Sequence, residues 1–172
     1  VIDLQDRTIV GNPNPDFVYG INLELSYKNL SLRVLANGVY GNEIANGNLL
    51  QLATPEGISW SNITTAAYNN AWRPERTSNS YPRIGYTTNG QIAMPDWIIE
   101  DGSFLRISNI NLSYQFDRIN IYLSAQNLFT FTGYSGYNPE VTSFLYDGLR
   151  NGVDWNGQPS ARKFTIGLNF NL

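Results

Sequence analysis

Cysteine and histidine are both missing from this sequence, and their absence removes several kinds of chemistry at once. Without them the chain has no thiol nucleophile, no disulfide, no histidine-based catalytic triad and none of the usual zinc or copper ligand sets. Charge is also sparse: 15% of the residues are charged, the net charge is -3, and no run of Lys or Arg occurs. A nucleic-acid-binding protein normally carries a basic patch or stripe. We therefore expect neither a cofactor nor a nucleic-acid partner.

Long apolar runs are missing too. No stretch of about 18 consecutive apolar residues occurs, so no helix is predicted to span a bilayer. The opening stretch, VIDLQDRTIV, has neither an initiator Met nor the features of a signal peptide, and we expect the chain to begin inside a longer protein. The residues that are abundant, Gly, Asn, Ser, Thr and Tyr, are those of strands and the turns between them. The composition therefore favours an all-β protein.

The clearest positive signal is an alternation of apolar and polar residues at the period of a β-strand. In the closing stretch, KFTIGLNFNL, Phe164, Ile166 and Leu168 share one face, while Thr165 and Asn169 share the other. The same pattern recurs along the chain and predicts strands at residues 17–27, 30–40, 104–116, 119–131 and 163–172. Each is as long as a tilted strand that crosses a bilayer, about 9 to 11 residues, or slightly longer.

The links between these strands differ greatly in length. Only residues 28–29 separate the first two strands and only residues 117–118 separate the next two, so both pairs are predicted hairpins. The other links, residues 41–103 and 132–162, are very long. If neighbouring strands are antiparallel, both short turns lie at one end of the sheet and both long loops at the other. That asymmetry is typical of outer-membrane β-barrels.

The apolar parity is ordered along the strands, with aromatic residues at both ends and aliphatic residues between them. The aromatic residues predicted at the long-loop end are Phe17, Tyr19, Tyr40, Phe104, Phe129, Phe131 and Phe164. Those predicted at the short-turn end are Tyr27, Tyr114, Phe116 and Phe170. Two aromatic belts around an aliphatic band indicate a sheet whose apolar face meets lipid.

Two residues interrupt this parity. Arg106 falls on the apolar parity, and we expect its side chain to lie at the rim of the apolar band and to reach lipid headgroups. Asn127 falls on it as well, unless a β-bulge near Gln126 shifts the phase. The opposite parity supplies the predicted lumen lining, which consists of Asn22, Glu24, Arg33, Asn37, Asn109, Asn111, Gln115, Asn120, Gln126, Asn169 and Asn171.

The long loops hold candidates for contact with a cargo or with a partner. They lie in NNAWRPERTSNSYPR and TGYSGYNPEV, and they are Trp72, Arg73, Arg76, Tyr81, Tyr134 and Tyr137. Flat aromatic rings beside polar side chains suit stacking on sugar rings or gripping a peptide. They equally suit the packing of the loops into an ordered cap.

Loop carboxylates are a weaker signal. A glycosidase needs two carboxyl groups at a fixed separation, and nothing in the sequence holds any two of the loop acids at such a separation. The loop acids are Glu43, Glu56, Glu75, Asp96, Glu100, Asp101, Glu140, Asp147 and Asp154. The stretch YDGLRNGVDWNG loosely resembles a calcium loop but lacks the D-x-[DN]-x-[DN]-G order. We therefore predict solvated acids, no metal site and no enzyme.

Four stretches also carry a family resemblance. They are GNPNPDFVYG, GSFLRISNINLSYQF, INIYLSAQNLFTFTGYSGYNPEV and GVDWNGQPSARKFTIGLNFNL. In this order they resemble the C-terminal end of the SusC-like, or RagA-like, TonB-dependent transporters of the Bacteroidetes outer membrane. The resemblance implies a 22-stranded transmembrane β-barrel with a plug. Residues 1–172 would then form the last five antiparallel strands of one barrel domain, with residues 41–103 and 132–162 as extracellular loops.

The resemblance implies a role and a set of partners as well. The role is TonB-dependent import of an oligosaccharide or peptide across the outer membrane. The partners are membrane lipid, the remaining strands and plug of the same transporter, a SusD-like surface lipoprotein over the long loops, and the TonB complex, engaged through an N-terminal part. The resemblance leaves open whether two pairs, each of one transporter and one lipoprotein, form a dimer. The alternative is a secreted, soluble β-sandwich that binds carbohydrate with the same aromatic residues.

Overall fold

The fold is known from a computed structural model, which describes residues 7–53, 62–77, 81, 83, 95–141 and 151–170. The chain forms two compact units. The first comprises residues 1–14, 43–101 and 140–157, and the second comprises residues 15–42, 102–139 and 158–172. Within the described part of the chain, no helix is both long enough and apolar enough to cross a bilayer.

The second unit is built on one five-stranded antiparallel sheet. Its strands are β1 (Phe17–Tyr27), β2 (Leu30–Tyr40), β5 (Phe104–Phe116), β6 (Ile119–Thr132) and β8 (Lys163–Phe170). They lie in the order β1-β2-β5-β6-β8, so β1 and β8 are the edges of the open sheet. The prediction of five antiparallel strands is confirmed, and β6 extends one residue beyond its predicted end. Residues 171 and 172 lie outside the described residues.

The two hairpins turn as tightly as predicted. Tyr27 pairs with Leu30 and Phe116 pairs with Ile119, so each turn has two residues. The first residue of each turn takes a positive φ, 54° at Lys28 and 49° at Asp117. That conformation lets a two-residue turn follow the right-handed twist of its strands.

The alternation changes phase at one level of the sheet. Leu35 pairs with Asn109 while Ala36 pairs with Ile107, which leaves Ser108 as an extra residue in β5. On the other side of β5, residues 127–128 of β6 are extra, and Asn127 has a φ of 52°. The Ser108 hydroxyl donates to the Leu35 carbonyl oxygen at 3.0 Å and so occupies an acceptor beside the irregular pairing. Of the two alternatives left open for Asn127, the structure shows the one with an irregularity next to Gln126, and a second bulge accompanies it at Ser108.

The bulge at Ser108 overturns the predicted placement of Arg106. On the short-turn side of the bulge, Ile110 lies on the apolar face beside Val34 and Ala125. On the long-loop side, the residue on the apolar face is Ile107 and not Arg106. Arg106 pairs with Asn37 and Thr130 and therefore shares the polar parity. The prediction that Arg106 lies on the apolar parity and reaches headgroups is wrong, because one extra residue reverses which face every later side chain takes.

The same reversal moves Phe104, which was predicted in the aromatic belt of the apolar parity. Phe104 pairs with Val39 and Thr132 on the polar side, and its side chain is buried. The apolar positions at this level are instead Leu105 and Ile107, beside Phe131 and Phe129.

A glycine and a tyrosine fit together on the apolar side of the sheet. Tyr19 pairs with Gly38, and a Cβ added to Gly38 would lie 2.4 Å from the Tyr19 ring. The ring crosses the glycine, and its hydroxyl donates to the Phe104 carbonyl oxygen at 3.0 Å, two strands away. A side chain at position 38 would block this arrangement, so the glycine is required by close approach.

The first unit consists of short elements around a small core. They are β3 (Glu43–Asn46), α1 (Gly47–Ala53), α2 (Thr65–Asn70), a 3-10 helix (Asp96–Ile98), β4 (Ile99–Asp101) and β7 (Val153–Asp154). The central strand β3 pairs antiparallel with β4 and parallel with β7. Ile44 and Ile98 are fully buried and form the centre of the core.

Local caps explain where the helices begin. Asn46 caps α1, since its side-chain oxygen accepts a bond from the Leu49 amide at 3.0 Å. Thr64 caps α2 in the same way by accepting from the Ala67 amide at 3.1 Å. Such caps satisfy amides that have no partner within the helix.

Candidate functional site: a polar sheet face and an arginine cleft

The residues predicted to line a lumen lie together on one face of the five-stranded sheet, named here the polar face. Pairing across the strands places them in level rows, for example Asn22, Leu35, Asn109, Gln126 and Lys163. The described members of the predicted set on this face are Asn22, Glu24, Arg33, Asn37, Asn109, Asn111, Gln115, Asn120, Gln126 and Asn169. Asn171, the remaining predicted member, lies outside the described residues.

Side chains on the polar face bond to one another across strands. Arg33 and Glu24 form an ion pair at 3.0 Å, and Asn109 donates to the Ser124 hydroxyl at 3.3 Å. Asn120 donates to the Gln115 side-chain oxygen at 3.3 Å. The ion pair is more than half exposed, so it stabilises the sheet little. What the described part of this face offers is a dense array of hydrogen-bonding groups.

The opposite face, named here the apolar face, is exposed although it is apolar. Ile166 is 78% exposed, Leu168 58% and Ile21 55%. Aromatic pairs occur at both ends of this face: Phe17 stacks on Tyr40 with ring centroids 5.1 Å apart, and Tyr114 lies beside Phe116 at 6.3 Å. A soluble β-sandwich would bury such a face against a second sheet. A continuous apolar face of this size normally marks contact with a membrane or with another protein surface.

A cleft opens on the polar face where β5 and β6 reach their long-loop end. We name it the Arg106 cleft, and its volume is about 240 Å³. Its lining consists of Arg106, Asn127, Thr130, Thr132, Gly136, Tyr137, Pro139, Ser160 and Arg162. All of these residues belong to the second unit. Among the described lining residues, two are cationic and none is acidic.

Arg106 is fixed in this cleft by neighbours on three sides. Its Nε donates to the Thr130 hydroxyl at 3.0 Å, and one terminal nitrogen donates to the Asn138 side-chain oxygen at 2.6 Å. The guanidinium also lies over the Phe104 ring, 5.4 Å from its centroid. Arg106 is only 4% exposed as a result. The phase change at Ser108 therefore both turns this arginine to the polar face and places its supports beside it.

Two side-chain bonds tie the segments that frame the cleft. Asn138 donates to the Ser160 hydroxyl at 3.1 Å, and Asn127 in the β6 bulge donates to the Ala161 carbonyl oxygen at 3.2 Å. These bonds hold the loop after β6 and the approach to β8 beside each other, next to Arg162. Sequence reasoning missed this cleft, because its residues come from positions 106 to 162 and meet only through the bulged pairing.

Four of the six loop residues predicted to contact cargo or a partner lie in the first unit. The Trp72 amide donates to the Tyr81 carbonyl oxygen at 3.3 Å, and Arg73 and Arg76 pair with each other through their backbones. The Arg73 guanidinium lies 5.0 Å from the centroid of the Tyr68 ring. The structure thus brings Trp72 beside Tyr81 and Arg73 beside Arg76.

The other two loop candidates lie in the second unit and differ in exposure. Tyr137 is 75% exposed and lines the Arg106 cleft. Tyr134 is 5% exposed, and its ring lies against Gly136, where an added Cβ would come within 2.4 Å of it. The Tyr134 ring therefore packs the loop and presents no open face for stacking.

In the described part of the chain, no group of three or more His, Cys, Asp or Glu side chains could hold a metal ion. The prediction of a solvated acid is wrong at Asp154, which is buried because it accepts a bond from the Gly157 amide at 3.0 Å and closes a turn. Glu100 accepts from the Asn46 side chain at 2.8 Å in the first unit. Glu56 and Asp147 lie outside the described residues.

Known structures share this fold. The RagAB peptide importer in its open-open state matches 95% of this chain with a TM-score of 0.78 at 23% identity, and 18% of that chain is covered. Its closed-closed state matches 94% of this chain with a TM-score of 0.76 at 24% identity. The open sheet is therefore a fragment of a β-barrel wall of this type.

Sequence comparison leads to the family. No family model matches the chain. TonB-dependent receptor P3 of Formosa agariphila is 33% identical over 98% of this chain, and TonB-dependent receptor SusC of Bacteroides thetaiotaomicron is 31% identical over 97%. The resemblance predicted from the sequence is confirmed: the chain is homologous to a segment of SusC-type TonB-dependent receptors. It spans 17% of the length of the first of these relatives and 16% of the second.

Proposed function

We propose that this chain forms part of the barrel wall of an outer-membrane importer that takes up a nutrient with energy supplied through TonB. The single observation that carries the proposal is the two-faced sheet. Its apolar face stays exposed along five strands, while its opposite face carries amides, hydroxyls and an ion pair. A membrane barrel needs this distribution, because one face of its wall meets lipid and the other lines the lumen.

The open edges support the same proposal. β1 and β8 each pair on one side only within the described residues, so both present unpaired backbone groups. Such groups are costly in a bilayer unless further strands close the sheet. The remaining strands and the plug are thus proposed to belong to the same transporter. We assign the predicted lumen residues, including Asn22, Asn111 and Asn169, to its inner wall.

The relatives guide the proposed cargo and partners. The related structures are of a peptide importer, and the relatives are named receptors, so we propose transport of a peptide or oligosaccharide and no enzymatic step. A SusD-like surface lipoprotein is proposed to cover the long-loop end over residues 41–103 and 132–162. The TonB complex is proposed to act through a part of the transporter that this chain does not include. Pairing of two transporter and lipoprotein units is compatible with this arrangement.

Loop residues are the proposed contacts with cargo or lipoprotein. Trp72, Arg73, Arg76 and Tyr81 form one group in the first unit, and Tyr137 lies at the Arg106 cleft. Their aromatic rings and guanidinium groups suit sugars and peptides alike. Tyr134 would act indirectly, by holding the shape of the loop that carries Tyr137.

Site-directed spin labelling of the complete transporter in lipid vesicles tests the proposal. Cysteines at Leu23, Leu112 and Ile166 on the apolar face should give labels that oxygen dissolved in lipid reaches. A cysteine at Thr165, which neighbours Ile166 on the polar face, is the matched control and should be reached by a water-soluble nickel reagent. Water-accessible labels at the first three positions would refute the proposed membrane orientation.

A further inference from the structure

We infer that the Arg106 cleft binds an anionic group of the cargo, a carboxylate or a sulfate. The inference rests on the proposed import function and adds a charge requirement to it. Arg106 and Arg162 both line the cleft, together with the hydroxyls of Thr130 and Ser160. Guanidinium and hydroxyl groups are the donors that carboxylates and sulfates accept from, and arginine matches their planar or tetrahedral oxygens in pairs.

The arginine at the base of the cleft is held in a fixed orientation before any ligand arrives. Its bonds to Thr130 and Asn138, and the Phe104 ring beneath it, leave the guanidinium little freedom. A cation that is already oriented loses less side-chain entropy when it meets an anion. Its burial also reduces the screening of its interactions by water and salt.

The walls of the cleft are fixed as well. The Asn138 to Ser160 bond joins the loop after β6 to the approach to β8, and the Asn127 to Ala161 bond joins β6 itself to that approach. The exposed Arg162 adjoins Ala161 and supplies a second positive charge at the entrance. One arginine is therefore buried and held by its neighbours and the other is exposed, which fits a site that captures an anion at its entrance and orients it at its base.

The size of the cleft limits what enters it. Its volume of about 240 Å³ lies below the roughly 300–1,000 Å³ of pockets that enclose a drug-sized ligand. It has room for one terminal unit of a longer chain. That unit would be the carboxylate end of a peptide or a single sulfated sugar, with the exposed Tyr137 ring beside it.

The test measures binding to the purified complete transporter by calorimetry with two pairs of probes. The first pair is an acetylated alanine tetrapeptide with a free carboxylate and the same peptide as a carboxamide. The second pair is glucose 6-sulfate and glucose. We expect the charged member of one pair to bind about tenfold more tightly than its neutral partner, which is about 1.4 kcal/mol. The pair that shows this preference identifies the source of the anion.

Substitutions then locate the preference. Arg162→Gln should remove most of it without affecting folding, because Arg162 is exposed, whereas Arg106→Gln should remove it entirely. Arg118→Gln is the matched control, since this arginine is also exposed but lies in the turn at the other end of β5 and β6. Arg162→Lys should retain part of the preference, because it keeps the charge and loses the paired donors.

Two results would overturn the inference. The first is equal or undetectable binding of the charged and neutral members of both pairs. The second is a preference that Arg162→Gln and Arg118→Gln leave equally unchanged. Either result would leave the proposed import function standing, since that function is judged by the lipid exposure of spin labels and not by ligand charge.

Discussion

Replacing Leu112 with Arg should strongly destabilise the proposed membrane wall. Leu112 lies on the apolar face between Leu32 and Leu123, its partners on the neighbouring strands. Those two leucines would border an arginine at this position, and no polar side chain lies in that row from Leu25 to Ile166. The charge would therefore face the hydrocarbon of the bilayer without a partner on either side.

The size of the effect follows from the depth of Leu112. It lies four residues before Phe116, at the aromatic short-turn end of β5. At a rise of about 2.4 Å of height for each tilted residue, Leu112 is about 10 Å into an apolar band about 25 Å tall. An arginine near the bilayer midplane costs about 2–4 kcal/mol, so we expect about 3 kcal/mol, or roughly a hundredfold shift in the folding equilibrium.

The assay is urea unfolding of the complete transporter in lipid vesicles, followed by its heat-dependent migration on gels. Ser113→Arg is the matched control, because Ser113 adjoins Leu112 in the chain but pairs with Ser31 and Tyr122 on the polar face. It should cost less than about 1 kcal/mol. Equal destabilisation by the two substitutions, or a larger effect of Ser113→Arg, would refute the assignment of the two faces.

Two further predictions concern single contacts and a third concerns the face that one residue takes. Tyr19→Phe removes the bond to the Phe104 carbonyl oxygen and should lower the free energy of unfolding by about 1 kcal/mol in urea titrations. Thr64→Ala removes the cap that accepts from the Ala67 amide, and this loss of about 0.5–2 kcal/mol should speed proteolysis of the loop around α2. A spin label on a cysteine at Leu105 should be reached by oxygen in lipid, because the Ser108 bulge places that position on the apolar face.

Each of these has a neighbouring control. Tyr27→Phe should leave stability unchanged, and Thr65→Ala should leave the rate of loop cleavage unchanged, so equal effects of test and control would contradict the roles assigned to Tyr19 and Thr64. A label at Asn109, below the bulge on the polar face, should be reached by the nickel reagent. A nickel-accessible label at Leu105 would mean that the strand keeps a single phase.

Alternation was sufficient to predict the sheet, because in a strand with one apolar and one polar face every second residue has the same polarity. It placed both two-residue hairpins and the positions of the polar face. The position of Asn127 also indicated that a bulge could occur there, since an amide on the apolar parity conflicts with the apolar residues around it.

The sequence also contains a signal for the bulge at Ser108, which the prediction did not use. Leu105 and Ile107 are apolar on odd positions, while Ile110 and Leu112 are apolar on even ones, so the phase changes between them. Phe104 concealed this change, because an aromatic residue on the even parity fitted the expected belt. The first unit was beyond this kind of reasoning: its parallel pairing of Ala45 with Val153 joins residues far apart in the chain, and short elements of this kind leave no periodic pattern.

The paired bulges have a consequence for how such a wall changes during evolution. In a strand of constant phase, exchanging the residues that meet cargo for those that meet lipid would require many simultaneous substitutions. Where a strand already tolerates an extra residue, a single insertion or deletion reassigns every position beyond it. The long-loop half of β5 can thus acquire a new set of side chains on the polar face in one mutational step, while the half next to the short turn keeps its register. An insertion or deletion of one residue at position 108 would therefore exchange the side chains on the two faces of that half of β5 in a single event.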